Sequence, residues 1–242
     1  MKNDVTLVIL AAGKNSRANY KNKALFTYHG ISCLENTIRI GKTLFEKILV
    51  VGTAFCEDEY NTICNQYAPQ VKVVSIVSGY GTLDALLKVC PYITTERVLM
   101  CWGDLWFTDD YAFQQTLKTE LQSPCIVPIS YIPNPYSWYI MDDDFSIRTT
   151  KWRRETPNPV EEGYFDQSCY LMDKHVIVSQ LTDYNKHCLE QGIESKLDVA
   201  YEILYRNQNP AKGVLIDYGH VFHFNSQEEF KQLDNFIHHE TI

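Results

Sequence analysis

Three apolar runs rich in β-branched residues punctuate the first half of the chain: Val5 to Leu10, Lys47 to Val51 and Arg97 to Cys101. Each is apolar at successive rather than alternate positions, the pattern of a strand covered on both faces in a parallel sheet. A shorter strand is expected over Val71 to Val77. Between these runs, Leu34 to Leu44 and Gly81 to Lys88 carry apolar residues at helical spacing. Strand and helix therefore alternate, which predicts right-handed βαβ units in a helix-covered parallel sheet, with any ligand site at the carboxyl ends of the strands.

The pattern then changes. Cys125 to Ser130, Trp138 to Met141, Ile147 to Trp152 and Tyr164 to Met172 are short runs rich in Tyr, Trp and Ile, parted by turn signals such as Asn134-Pro135 and Asp142-Asp143-Asp144. They predict a small antiparallel extension. Helical spacing returns at Lys174 to Leu181 and Lys196 to Tyr205, followed by a strand over Gly213 to Asp217. A further helix opens at Ser226, where Ser226-x-x-Glu229 reads as a capping box. No repeat or linker interrupts residues 1–242, so a single domain is expected.

Composition narrows the function. With 45% hydrophobic and 21% charged residues the chain can bury a sizeable core, which excludes intrinsic disorder. A formal net charge of −8 repels phosphates, so neither nucleic acid nor an anionic membrane is expected as a partner. The first apolar run is too short and too poorly flanked for a signal peptide or a membrane span. The eight cysteines form no Cys-x-x-Cys pair and sit in apolar stretches, as buried thiols of a cytoplasmic protein do.

One region departs from the overall charge. Residues 1–50 hold eight Lys/Arg against three Asp/Glu, a local surplus of +5. Within it, the first strand runs into Leu10-Ala11-Ala12-Gly13-Lys14-Asn15-Ser16-Arg17 and then to Lys21 and Lys23. Small residues straight after a buried strand let backbone N–H groups approach a ligand, and the cations suit a polyphosphate.

The blocks that follow extend this motif: Lys23-x-Leu25 with Gly30, Gly81-Thr82-x-x-Ala85 and Gly103-Asp104. Together with Leu10 to Gly13 and Arg17 they resemble the nucleotidyltransferases that join a nucleoside monophosphate to a phosphorylated sugar, polyol or amino alcohol. The resemblance implies a three-layer, Rossmann-like fold of the glycosyltransferase-A kind. It places a nucleotide-binding half in residues 1–107 and an acceptor-binding half in 108–242. It also implies nucleotide contacts from Leu10 to Ser16, Ser78, Gly81 and Thr82, with Arg17, Lys23 and Asp104 as catalytic residues. Mg²⁺ would sit on Asp104, and His223 aligns with a second metal ligand.

Departures from the family pattern bear on the substrates. Asn15 and Ala18 replace a Gly and a Met of the loop, Glu155-Thr156-Pro157 lacks the family's phosphate-binding lysine, and Asp166-Gln167-Ser168 replaces an Asn-x-Gly. Arg153, Arg154, Glu155 and Asp166 are the acceptor-binding candidates, the two arginines suiting an acceptor that bears a carboxylate as well as a phosphate. The Ala11-Ala12-Gly13 form resembles cytidylyltransferases and some uridylyltransferases, including cytidylyltransferases that serve bacterial capsule and surface-polysaccharide synthesis and act on phosphocholine-like or phosphorylated amino-acid acceptors, so CTP is the expected donor, before UTP. The alternatives are a UTP-dependent sugar-1-phosphate uridylyltransferase, a non-catalytic nucleotide-binding domain of the same fold, and a glycosyltransferase using Asp142-Asp143-Asp144. Homo-oligomerisation stays open.

Overall fold

The computed structural model describes residues 4–13, 22–77 and 80–239. In chain order its strands are β1 (Val5–Leu10), β2 (Thr27–Tyr28), β3 (Ile31–Ser32), β4 (Ile48–Thr53), β5 (Val71–Ile76), β6 (Arg97–Trp102), β7 (Trp106–Phe107), β8 (Cys125–Pro133), β9 (Ser137–Met141), β10 (Ile147–Trp152), β11 (Glu162–Asp166), β12 (Cys169–Asp173), β13 (Lys212–Leu215) and β14 (Val221–Phe222). The helices are α1 (Cys33–Gly41), α2 (Glu57–Cys64), α3 (Thr82–Val89), α4 (Tyr111–Lys118), α5 (Lys174–Gln191), α6 (Leu197–Arg206), α7 (Gln227–Phe230) and α8 (Leu233–His239).

β5, β4, β1 and β6 lie side by side and parallel, with Val8 of β1 opposite Leu49 on one flank and Met100 on the other. Every position of β1 is buried. Alternate residues feed two cores on opposite faces: Val8 and Met100 pack with Leu83 and Leu86 of α3, whereas Leu7, Ile9 and Leu99 pack with Leu34 and Ile38 of α1. That two-sided cover is the three-layer α/β architecture expected from the runs of successive apolar residues.

The second half enters the sheet more fully than the sequence pattern suggests. β12 runs antiparallel to β6 and β8, and β13 lies parallel along the other edge of β8. The β9–β10 hairpin stands as a separate antiparallel piece, as do the short β7–β14 and β2–β3 pairs. The reason is burial: β8 is covered over its first six residues, so it needs a layer on each face. The single strand expected over Tyr164 to Met172 is split into β11 and β12 by Gln167 and Ser168, the latter at φ 55°.

α2 and α4 go unseen in the sequence pattern because they bury few side chains, Tyr60 and Cys64 in α2 and Ala112, Phe113 and Thr116 in α4. The capping box is present with a shifted partner. Ser226 Oγ accepts from Glu229 N at 3.1 Å, while Glu229 Oε2 accepts from Asn225 N at 2.6 Å. No helix among the described residues is long and apolar enough to cross a membrane.

Candidate active site

The segment leaving β1 is pinned where the parallel strands end. Ala11 N donates to Val51 O, Gly103 N to Leu10 O and Tyr60 Oη to Ala11 O, each at 2.8 Å. Residue 103 has to be glycine for this approach, since a Cβ there would lie 2.8 Å from the Ala11 Cβ. Gly103→Ala is therefore expected to cost about 1–3 kcal/mol through overpacking, read as a lower urea midpoint at unchanged slope.

Lys23 opens a short 3₁₀ turn whose start is held by Asn22: its Oδ1 accepts from Ala24 N at 3.1 Å and its Nδ2 donates to Tyr60 Oη at 2.9 Å. The Lys23 Nζ forms an ion pair with the Asp104 carboxylate. It also donates to the Phe224 carbonyl at 3.5 Å and stands 5.6 Å from the centre of the Phe224 ring. The lysine side chain is 13% exposed and the aspartate 32%, so the pair is shielded yet reachable from the cavity.

Gly81 takes φ +113° at the start of α3, and a Cβ there would run into the Ser195 carbonyl. Ser195 N donates to Tyr80 O at 2.6 Å and Leu83 N to Ser195 O at 3.1 Å, so the link between α5 and α6 closes over this turn. Behind it the buried Asp84 accepts from Tyr80 N, Lys88 Nζ and Asn185 Nδ2 at 2.9, 2.6 and 3.2 Å. Burial raises the Asp84 carboxyl, but the Lys88, Tyr80 and Asn185 donors together outweigh it and hold the group below its ordinary value of 3.8. A depressed folded-state pKa adds stability that is present above the ordinary value and lost as pH falls through the lowered one. Asp84→Asn is expected to lower Tm at neutral pH and to flatten the acid limb of the stability curve, measured by thermal unfolding between about pH 2 and pH 7.

On the opposite wall, Asp166 Oδ1 accepts from Ser168 N at 3.0 Å, Ser168 Oγ at 2.9 Å and Tyr170 Oη at 2.6 Å. His223 meets the Phe165 ring edge-on at 4.9 Å, and its Nε2 is shielded with no hydrogen-bond partner among the described residues. Burial pushes its imidazole below the usual histidine value against the pull of Asp166 and Asp104.

These elements enclose a cavity of about 810 Å³. It brings together Leu10, Ala11, Ala12, Gly13, Lys23, Gly81 and Thr82 from the first half with Asp166 and His223 from the second, and Asp104 between them. Lys14, Asn15, Ser16, Arg17 and Ser78 lie outside the described residues.

Arg153, Arg154 and Glu155 do not line this cavity. Arg153 donates to the Pro135 carbonyl at 3.0 Å and the Val160 carbonyl at 2.7 Å; Arg154 pairs with Glu155 at 3.2 Å and covers the Trp152 ring. Two of the five N–H donors of Arg153 are thus spent on backbone carbonyls and support its own turn. The acidic triplet also stands off the cavity lining, at the turn of the β9–β10 hairpin, where Asp142 pairs with Arg148 and Asp144 with Lys212 of β13.

Sequence reasoning overlooked several wall residues, among them Tyr136, Trp152, Phe165, Tyr170 and Glu194. The spacing Asp166-x-Ser168 is a usable signal of a local turn, since an Asp side chain readily accepts from the backbone two residues on. Nothing in the local pattern marks Glu194.

The family model described as the MobA-like NTP transferase domain matches residues 7–137. Among curated relatives, the bifunctional protein GlmU of Francisella tularensis subsp. novicida is 23% identical over 183 residues, covering 74% of this chain and 40% of that protein. The chain thus spans less than half the length of that relative. Among solved structures, the inositol-1-phosphate CTP transferase from T. maritima superposes with a TM-score of 0.80 at 14% identity, covering 98% of this chain and 96% of the other. HddC from Yersinia pseudotuberculosis, complexed with GMP-PN, superposes with a TM-score of 0.73 at 16% identity over 96% and 99%.

Proposed function

The chain belongs to the MobA-like NTP transferase domain family, and from that premise we propose that it transfers a nucleoside monophosphate, from CTP before UTP, to a small phosphorylated acceptor. The observation that carries this is the meeting of Lys23 and Asp104, 81 residues apart, at the carboxyl ends of the parallel strands inside one cavity. An acceptor phosphate oxygen attacks the α-phosphorus, the α–β bridging P–O bond breaks, and pyrophosphate leaves with the electron pair. The attacking phosphate is already ionised, so no general base is required. Holding two polyanions together and neutralising their charge is most of the catalysis.

In this scheme the Leu10 to Gly13 backbone and Gly81-Thr82 hold the nucleotide, and Lys23 binds the triphosphate and the leaving pyrophosphate. Residues 1–107 thus supply the nucleotide half and 108–242 the acceptor half. No group of three or more His, Cys, Asp or Glu side chains converges among the described residues. The shielded His223 Nε2 has the chemistry of a ligand for softer ions and fits Mg²⁺ poorly, whereas Asp104 offers the carboxylate oxygen that Mg²⁺ takes alongside phosphates and water. Such an ion would neutralise charge on the triphosphate.

CTP is favoured by the Ala11-Ala12-Gly13 form of the loop and by the CTP transferase among the structural neighbours. A nucleotide-activated small molecule made in the cytoplasm would suit capsule or surface-polysaccharide synthesis.

The test is thermal unfolding with Mg²⁺ and each of CTP, UTP, ATP, GTP and dTTP. A ligand at about 100 times its Kd adds roughly 2.7 kcal/mol, or about 5–11 °C for a chain of this size. A shift confined to CTP, followed by pyrophosphate release on adding acceptor, is the expected result. A shift with nucleotide sugars alone favours a glycosyltransferase, and no shift with any nucleotide overturns the proposal.

A further inference from the structure

We propose that the carboxyl-terminal segment from Val221 to His239 positions the Lys23 ammonium for the triphosphate, acting through Phe224; this rests on the nucleotidyl-transfer reading and adds Phe224 to that site as a positioning residue. The lysine and the residue that frames it are 201 positions apart, yet the Phe224 carbonyl accepts from Nζ at 3.5 Å and the centre of the Phe224 ring lies 5.6 Å away. A ring face attracts an ammonium, and a carbonyl beside it gives the ammonium a direction. His223, Phe224 and Asn225 all line the cavity, so the segment enters the site as part of its wall.

Two anchors fix Phe224 relative to the ion pair it serves. On the aspartate side, β14 pairs with β7, Phe222 opposite Trp106, and β7 begins two residues beyond Asp104. On the lysine side, the buried Phe224 ring stacks on Phe26 with centres 6.0 Å apart at 18°. Phe26 N in turn donates to the Lys23 carbonyl at 3.1 Å and closes the 3₁₀ turn that carries the lysine. Phe230 of α7 completes a triangle of rings, 4.7 Å from Phe224 and 5.6 Å from Phe26. α8 joins through Asp234, which accepts from Tyr28 Oη at 2.7 Å.

These side chains form an apolar cluster of their own, apart from the two that cover the faces of the main sheet. A small peripheral cluster opens locally at lower cost than a central sheet, so the setting of the lysine can loosen while the parallel strands stay folded. Coupling between two sites is reciprocal. A segment that positions the lysine is therefore stabilised by the ligand that the lysine binds.

The experiment measures the Kd for CTP with Mg²⁺, or for whichever triphosphate shifts Tm, by calorimetry in the wild type, Phe224→Leu, Lys23→Met and the double variant. Phe224→Leu is expected to weaken binding about two- to fivefold in the wild-type background and to add nothing in the Lys23→Met background. A loss through general loosening of the fold would be the same in both. Amide exchange supplies a second measurement on protein with Phe224 intact: residues 227–239 are expected to exchange about threefold or more slowly in the wild type saturated with that triphosphate. The slowing should disappear in Lys23→Met at matched saturation, where any global stabilisation by the ligand is retained. If Phe224→Leu does not fold, the exchange measurement decides alone. Equal losses in both backgrounds, or exchange in 227–239 that does not respond to the ligand through Lys23, overturns this inference and leaves the nucleotidyl-transfer reading standing. Failure of every triphosphate to bind the wild type removes that reading, and this inference with it.

Discussion

Lys23→Met is expected to lower kcat/KM for pyrophosphate release by about 10²–10³-fold, the loss seen when one preorganised group aimed at developing charge is removed. The ammonium is framed by the Asp104 carboxylate, the Phe224 carbonyl at 3.5 Å and the Phe224 ring 5.6 Å away. That framing makes it a preorganised charge, so its removal acts mainly on kcat, with a smaller rise in the KM for the triphosphate. Methionine keeps most of the buried aliphatic stem, and a Tm close to that of the wild type is expected to separate lost chemistry from lost folding. Lys23→Arg should recover only part of the activity, because the planar, forked guanidinium does not reproduce a compact ammonium in this setting. Full activity in Lys23→Met would place the triphosphate elsewhere.

Asp104→Asn is expected to cost about as much, on the order of 10²-fold in kcat, and to shift the Mg²⁺ dependence to higher concentration, because an amide oxygen is a poor substitute for a carboxylate on a hard cation. Lys23 and Asp104 are in direct contact, so the double variant should be little worse than the worse single one when kcat/KM is measured for all four members of the cycle. Additive losses would mean that the two act on separate steps. An unchanged Mg²⁺ titration in Asp104→Asn would move the metal away from this residue.

Much of the scaffold under these side chains is legible in the primary structure. The runs at Val5 to Leu10, Lys47 to Val51 and Arg97 to Cys101 become three neighbouring parallel strands, since continuous apolar sequence with β-branched residues is stable only where both faces are covered. Gly103 and the small residues after Leu10 likewise announce a close backbone approach. The acceptor side is different. Arg153 and Arg154 look like anion ligands because their charge is visible in sequence, whereas the Pro135 and Val160 carbonyls that accept from Arg153, and the position of both arginines off the cavity lining, are not.

The sequence by itself determined the alternation of strand and helix and the end of the sheet where a ligand must sit, both through short-range periodicity, while the resemblance of its motif blocks to the nucleotidyltransferases singled out Lys23 and Asp104. Only the tertiary structure decided which charges face the cavity. It set Asp166 among aromatic rings, turned Arg153 onto its own loop, joined the β8 and β12 strands to the main sheet and brought Glu194 over the turn at Gly81. Those outcomes depend on contacts between distant segments, where hydrogen bonds to backbone carbonyls and the covering of apolar faces outweigh any local preference.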